Sequence, residues 1–138
     1  MILNRLNLNI LKELVFILFL SLLLVGCESK KDEYYVKYEV DSTTIYINGK
    51  LTLLISTESN PNSSMSIDQR VLREIVIGPV EKDFEASLIL AAQGNTFDQL
   101  RLYANIYVSK NGSPFALKKS DESDDPRDYL EMSYQIDY

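Results

Sequence analysis

From residue 34 onward, apolar and polar side chains alternate with period two, and glycine and proline fall between the apolar runs, the pattern of short β-strands joined by turns. At 34–40, Val36, Tyr38 and Val40 oppose Lys37 and Glu39 in a stretch rich in aromatic and β-branched residues. The run 43–47 meets Asn48-Gly49 and resumes as 50–56. Both central residues of a type I′ turn need positive φ, so Asn-Gly predicts a tight hairpin there. Residues 58–66, polar around Pro61, predict an exposed loop. Segment 67–77 is ambivalent, with Val71, Leu72, Ile75 and Val76 at helical spacing but 73–77 reading as strand before Gly78-Pro79; strand is preferred, with a helical turn at 68–72 as an addition. Phe84, Ala86, Leu88, Leu90 and Ala92 then alternate with Glu85, Ser87 and Ile89, and residues 93–96 predict a turn. The clearest alternation puts Leu100, Leu102, Ala104, Ile106 and Val108 on one face and Arg101, Tyr103, Asn105 and Tyr107 on the other. A turn at 110–114, a short strand at 115–117, an acidic loop at 120–128 and a last strand carrying Leu130, Met132, Tyr134 and Ile136 complete the chain. Seven or eight strands without a long helix predict an all-β fold of two antiparallel sheets packed as a sandwich over 34–138.

The first 26 residues follow another pattern. The largely apolar run 14–25, bounded by Lys12-Glu13 and Gly26-Cys27, is shorter than the roughly 20 residues a membrane span takes and matches the roughly 7–15 of a signal-peptide core. Arg5 and Lys12 supply the positive charge that keeps the start of such a signal cytoplasmic. Leu24-Val25-Gly26-Cys27 resembles a bacterial lipobox, which implies cleavage between Gly26 and Cys27 and fatty acylation of Cys27. An uncleaved anchor is the alternative. The expected organisation is a lipoprotein signal peptide at 1–26, a lipidated cysteine and flexible tether at 27–33, and a β domain at 34–138. Within the tether, Lys31-Asp32-Glu33 resembles the surface-export signal of Bacteroidota lipoproteins, implying an outer-membrane, surface-exposed protein. A plain solvated spacer is the other reading.

Charge narrows the partners. Without residues 1–26, which hold Arg5, Lys12 and Glu13, 12 basic side chains face 19 acidic ones. That balance argues against nucleic acid and against electrostatic adsorption to anionic headgroups, so attachment to a membrane is expected to come from the lipid. The only cysteine is Cys27, which leaves the domain without a disulfide and dependent on packing.

Catalytic chemistry is nearly absent from the chain. With no histidine, Ser-His-Asp and Cys-His arrangements are impossible and zinc lacks its usual ligands, so a non-enzyme without a cofactor is expected. The acidic loop offers one weak metal candidate, calcium at Asp121, Asp124 and Asp125, without the Asp-x-Asp-x-Asp-Gly spacing that wraps a loop round the ion. Tyr103 and Tyr107, on the polar face of the best strand, are candidate ligand contacts, since exposed aromatics stack on sugars or anchor protein partners; cross-strand packing is the plainer reading.

Tyr35-Val36-Lys37-Tyr38-Glu39-Val40, Gly78-Pro79-Val80 with Phe84-Glu85-Ala86, and Ile106-Tyr107-Val108 with Gly112 resemble small Bacteroidota lipoproteins and are similar to the mycobacterial small membrane proteins, MmpS. The resemblance implies an immunoglobulin-like β-sandwich. Lys82-Asp83 stands where a turn glycine would be expected in such a domain. Together these features predict a lipid-anchored envelope lipoprotein acting as a non-catalytic binding module for an envelope protein or glycan. An accessory subunit of an envelope transport complex, which the MmpS likeness implies, and a small carbohydrate-active enzyme are the alternatives.

Overall fold

Alternation is expressed most completely in β1 (Tyr34–Ser42), where every second side chain from Tyr34 to Ser42 is buried. Successive side chains of a strand point to opposite faces, so Val36, Tyr38 and Val40 enter a core while Lys37 and Glu39 do not. The computed structural model describes residues 31–43, 49–67, 72–93 and 100–138. Beyond β1 these form β2 (Lys50–Ile55), β3 (Ser63–Ile67), β4 (Arg73–Val80), β5 (Glu85–Gln93), β6 (Leu102–Lys110), β7 (Ala116–Asp121) and β8 (Tyr129–Gln135).

The eight strands make two four-stranded antiparallel sheets, ordered β4-β1-β6-β7 and β3-β2-β5-β8, packed as an immunoglobulin-like β-sandwich. The core lies between them. One sheet contributes Tyr34, Val36, Tyr38 and Val40 from β1 with Leu102, Ala104, Ile106 and Val108 from β6; the other contributes Leu51, Leu53 and Ile55, then Ala86, Leu88 and Leu90, then Leu130 and Met132. Burying each large apolar side chain stabilises by about 1.5–3 kcal/mol relative to leaving it in water. A buried phenol of this core is satisfied: Tyr38 donates its hydroxyl to the Ser56 carbonyl at 3.0 Å. Burial pushes that phenol up to about 12.

Central placement explains the sequence of β6. It pairs with β1 from Ser42↔Leu102 to Tyr34↔Lys110 and with β7 on its other side, so both its edges are filled and its inner face is continuously apolar. The β6–β7 connection carries positive φ at Asn111 (52°) and Gly112 (75°), with the Ser113 N–H donating to the Lys110 carbonyl at 2.9 Å. Those are the dihedrals a type I′ hairpin demands. Asp83, with φ of 70°, takes the left-handed conformation expected of a turn glycine.

Several sequence expectations are corrected. The Asn48-Gly49 hairpin involves residues 44–48, which lie outside the described residues, as do most of the possible helical turn at 68–72 and of the turn at 93–96. For the described part, β2 pairs with β3 along one edge and with β5 along the other from Leu51 to Ile55. The loop expected at 58–66 is shorter, because Ser63–Ile67 adds to the sheet as β3. This edge strand has little reason to alternate, since only Ile67 reaches the core. Gly78-Pro79 falls inside β4 rather than after it: the register slips between Val36↔Ile77 and Tyr34↔Val80, a bulge on an edge strand where a missing N–H disrupts no inner ladder. β7 extends to Asp121, shortening the acidic loop, and its Leu117 is exposed.

The last residues of the expected tether are not free. Asn111 exchanges backbone and side-chain hydrogen bonds with Glu33 at 2.8 and 2.9 Å, while Asp32 accepts from Asn111 Nδ2 and pairs with Lys110, both at 2.7 Å. Lys110 holds the Asp32 carboxyl below its ordinary range.

Candidate functional site

Odd-numbered residues of β1 and β6 face away from the core, and their register decides which of them meet. Lys37 lies opposite Tyr107 and Glu39 opposite Asn105. The Lys37 ammonium sits 4.3 Å from the centre of the Tyr107 ring and pairs with Glu39 at 3.2 Å and Glu74 at 3.7 Å. Burial, reinforced by the Glu39 carboxylate, raises the Tyr107 phenol above its ordinary value. Tyr107 is therefore engaged by its cross-strand neighbour. Tyr103 is placed differently: its hydroxyl donates to Asp124 Oδ1 at 2.9 Å, and that hydrogen bond raises its phenol.

Asp124 belongs to the loop between β7 and β8, and this loop is shaped by one arginine. Arg127 grips Asp121 with two hydrogen bonds, Nη1 to Oδ2 at 2.8 Å and Nη2 to Oδ1 at 2.7 Å, while Nη2 also reaches the Leu102 carbonyl at 2.5 Å. Its backbone N–H donates to the Leu100 carbonyl at 2.8 Å. Arg101 Nε adds a bond to the Asp124 carbonyl at 2.6 Å. Planar, bidentate pairing of this kind fixes orientation as well as charge. The loop is thus folded back over the start of β6.

This packing separates the three carboxylates that sequence grouped as a weak calcium candidate. Asp121 is taken by Arg127, which holds its carboxyl below the ordinary range; Asp124 accepts from Tyr103; Asp125 accepts from Ser123 Oγ at 3.0 Å. Among the described residues no three His, Cys, Asp or Glu side chains are grouped to hold a metal ion. The donor set therefore does not fit the six to eight oxygens that calcium takes.

What the folded-back loop does create is a groove of about 390 Å³ on the outer face of the β4-β1-β6-β7 sheet. Glu39 and Asp41 of β1, Tyr103 and Asn105 of β6, and Glu122 and Asp124 of the loop line it, with Leu72 and Val40 as its apolar members. Asn105 stands out. Although on the outward face, it is only 8% exposed, its Nδ2 donates to Glu122 Oε1 at 3.2 Å, and its buried Oδ1 has no hydrogen-bond partner. An unpaired buried acceptor costs about 1–3 kcal/mol.

Of the side chains singled out in the sequence, the structure brings Tyr103 and Asp124 to the groove and leaves Tyr107, Asp121 and Asp125 off its walls. Glu122, which belongs to the acidic loop read as the metal candidate, also lines the groove, whereas Asn105, Glu39, Asp41 and Leu72 were not singled out for function. One signal was available for Asn105, an amide in mid-strand where β-branched and aromatic residues are favoured. Lys31, Asp32 and Glu33 are exposed, with Asp32 and Glu33 tied to the β6–β7 turn. Gly26 and Cys27 lie outside the described residues, and among those described no helix is long and apolar enough to cross a membrane. No protein-family model, curated protein or solved structure matches the chain.

Proposed function

We propose that this chain is a lipid-anchored envelope protein whose β-sandwich is a non-catalytic binding module, using the outer face of the β4-β1-β6-β7 sheet for recognition. The observation that carries the binding role is the groove wall at Asn105, where a buried acceptor is left without a donor. Folded proteins pair such atoms almost without exception, and a ligand is one way to supply the missing partner. The site stands on central strands and a loop clamped by Arg127, a rigid support of the kind recognition surfaces use. The lipobox-like Leu24-Val25-Gly26-Cys27 supports attachment through Cys27, and Lys31-Asp32-Glu33 supports outer-membrane surface display.

A second reading draws on the same groove, since glycoside hydrolases work with two carboxyl groups flanking the sugar bond. Glu39, Asp41, Glu122 and Asp124 supply candidates in number. Their surroundings argue the other way: Glu122 and Asp124 are exposed, and Glu39 is paired with Lys37. A general acid of this kind needs a water-poor pocket.

Two experiments test the leading reading. Cys27→Ser is expected to leave an unprocessed precursor that takes up no labelled fatty acid, and unchanged labelling would refute the lipid anchor. A photocrosslinking residue at Tyr103 is expected to trap a partner on intact cells, whereas one at Ser133, exposed on the opposite sheet, should not. Equal trapping from the two positions, or trapping from Ser133 alone, would refute the assignment of the binding face.

A further inference from the structure

The hydrogen-bonding capacity around the groove is lopsided. Most of the spare capacity lies on acceptors: the carboxylates of Glu39, Asp41, Glu122 and Asp124, each of which already takes one bond and has further lone pairs, and the unpartnered Oδ1 of Asn105. The two side-chain donor groups in its walls are both engaged, the Tyr103 hydroxyl on Asp124 and the Asn105 amide through one N–H on Glu122. Among the described residues, two cations near it have partners. Lys37 is held between Glu39 and Glu74, and the Arg101 Nε is directed to the Asp124 carbonyl. Such a site is complementary to a ligand group that only donates and carries positive charge, which describes an ammonium with three N–H bonds or a guanidinium with five.

Size and arrangement choose between a point ion and an extended one. The carboxylates ring a space of about 390 Å³ and are not grouped in threes that could close on a metal. A long alkyl stem would fill that space, with the Leu72 side chain and the Tyr103 ring as apolar surface along which it lies while its charged head reaches the acceptors. We propose that the groove binds an organic cation, an alkylammonium or guanidinium group on an aliphatic stem, which donates to the Asn105 Oδ1 and to the surrounding carboxylates. This rests on the reading of the outer face as the binding surface and names the class of ligand it takes. A lysine or arginine side chain of a partner and a free polyamine present the same chemistry.

The test uses the full-length chain in neutral detergent, with the Asn105 side-chain amide followed by NMR during titration with spermidine, a tetralysine peptide and calcium chloride. A saturable shift of the Asn105 amide with tetralysine alone would assign the cation to a partner's side chains, and one with spermidine also would extend it to free polyamines. Glu122→Gln is expected to weaken that binding by about tenfold, as loss of one charge-assisted hydrogen bond should, while Glu131→Gln, which lies on β8 of the other sheet, leaves it unchanged. Asn105→Leu, in which binding is followed at the backbone amide of Tyr103 because the Asn105 side-chain amide is gone, separates ligand binding from architecture. It removes an unsatisfied acceptor, so the denaturation midpoint should hold or rise while amine binding is lost. The proposal is overturned if neither amine gives a saturable shift, if calcium alone produces it, or if Asn105→Leu lowers the midpoint and leaves amine binding intact. Crosslinking from Tyr103 that persists in a chain binding no amine would overturn the ligand class and leave the binding face standing.

Discussion

The strongest test of this architecture compares neighbouring residues of β6, Ile106 and Tyr107, which the pleat sends to opposite faces. Ile106 is fully buried in the core, opposite Tyr38 on β1. Ile106→Ala removes three carbons, worth about 2.4 kcal/mol at roughly 0.8 kcal/mol each. The space left behind adds a cavity term, because a close-packed interior relaxes only partly, and the total falls within the about 2–5 kcal/mol seen for such truncations. Tyr107→Ala loses a half-buried ring on the outer face and its contact with the Lys37 ammonium at 4.3 Å, an exposed cation–π interaction of about 0.5–1 kcal/mol plus some cross-strand packing. Urea melts of the two variants and the parent chain, at matched slopes, measure the difference. Ile106→Ala should lower the midpoint by more than Tyr107→Ala does. The reverse order would mean that the two faces of β6 are exchanged, since a one-residue slip of register moves every side chain of a strand to the other side.

Gly78→Ala should destabilise more than Gly112→Ala. Both glycines have positive φ, but a Cβ at Gly78 would lie 2.8 Å from the Tyr34 carbonyl oxygen and 2.8 Å from Tyr35 Cδ1, whereas at Gly112 it meets nothing within 4 Å. Backbone strain alone costs about 1–2 kcal/mol, so thermal melts should rank Gly78→Ala below Gly112→Ala, and equal midpoints would remove the steric argument. For Asp121 the sign follows from its lowered pKa: a carboxyl depressed by Arg127 stabilises the fold above the unfolded value of 3.8, and that contribution is lost as pH falls through the still lower folded value. Asp121→Asn should therefore be less stable than the parent at neutral pH and converge with it on acidification below 3.8, as urea midpoints across a pH series would show; a gap that persisted or widened in acid would contradict the pairing.

Period-two alternation was enough to identify β1, β5, β6 and β8 and to say which side of each is buried. That information is local, because Cβ direction alternates along any strand whatever its partner. The same logic failed on β3 and at the bulge of β4, which form edges where the core demands little of the sequence, and it placed the turn strand-breakers of Gly78-Pro79 outside a strand that in fact carries them. Turn chemistry was legible where its demand is also local, at Asn111-Gly112. Partnership was not. β1 and β6 lie far apart in sequence, and only their pairing sets Glu39 beside Asn105 and Lys37 over Tyr107. Arg127 offered no sign that it would clamp Asp121 and the Leu102 carbonyl, since the attraction depends on distances that folding creates. The groove follows from these non-local choices: period two sends Asn105 outward, and the tertiary packing of β1 and the loop after β7 buries it there with one acceptor unpaired.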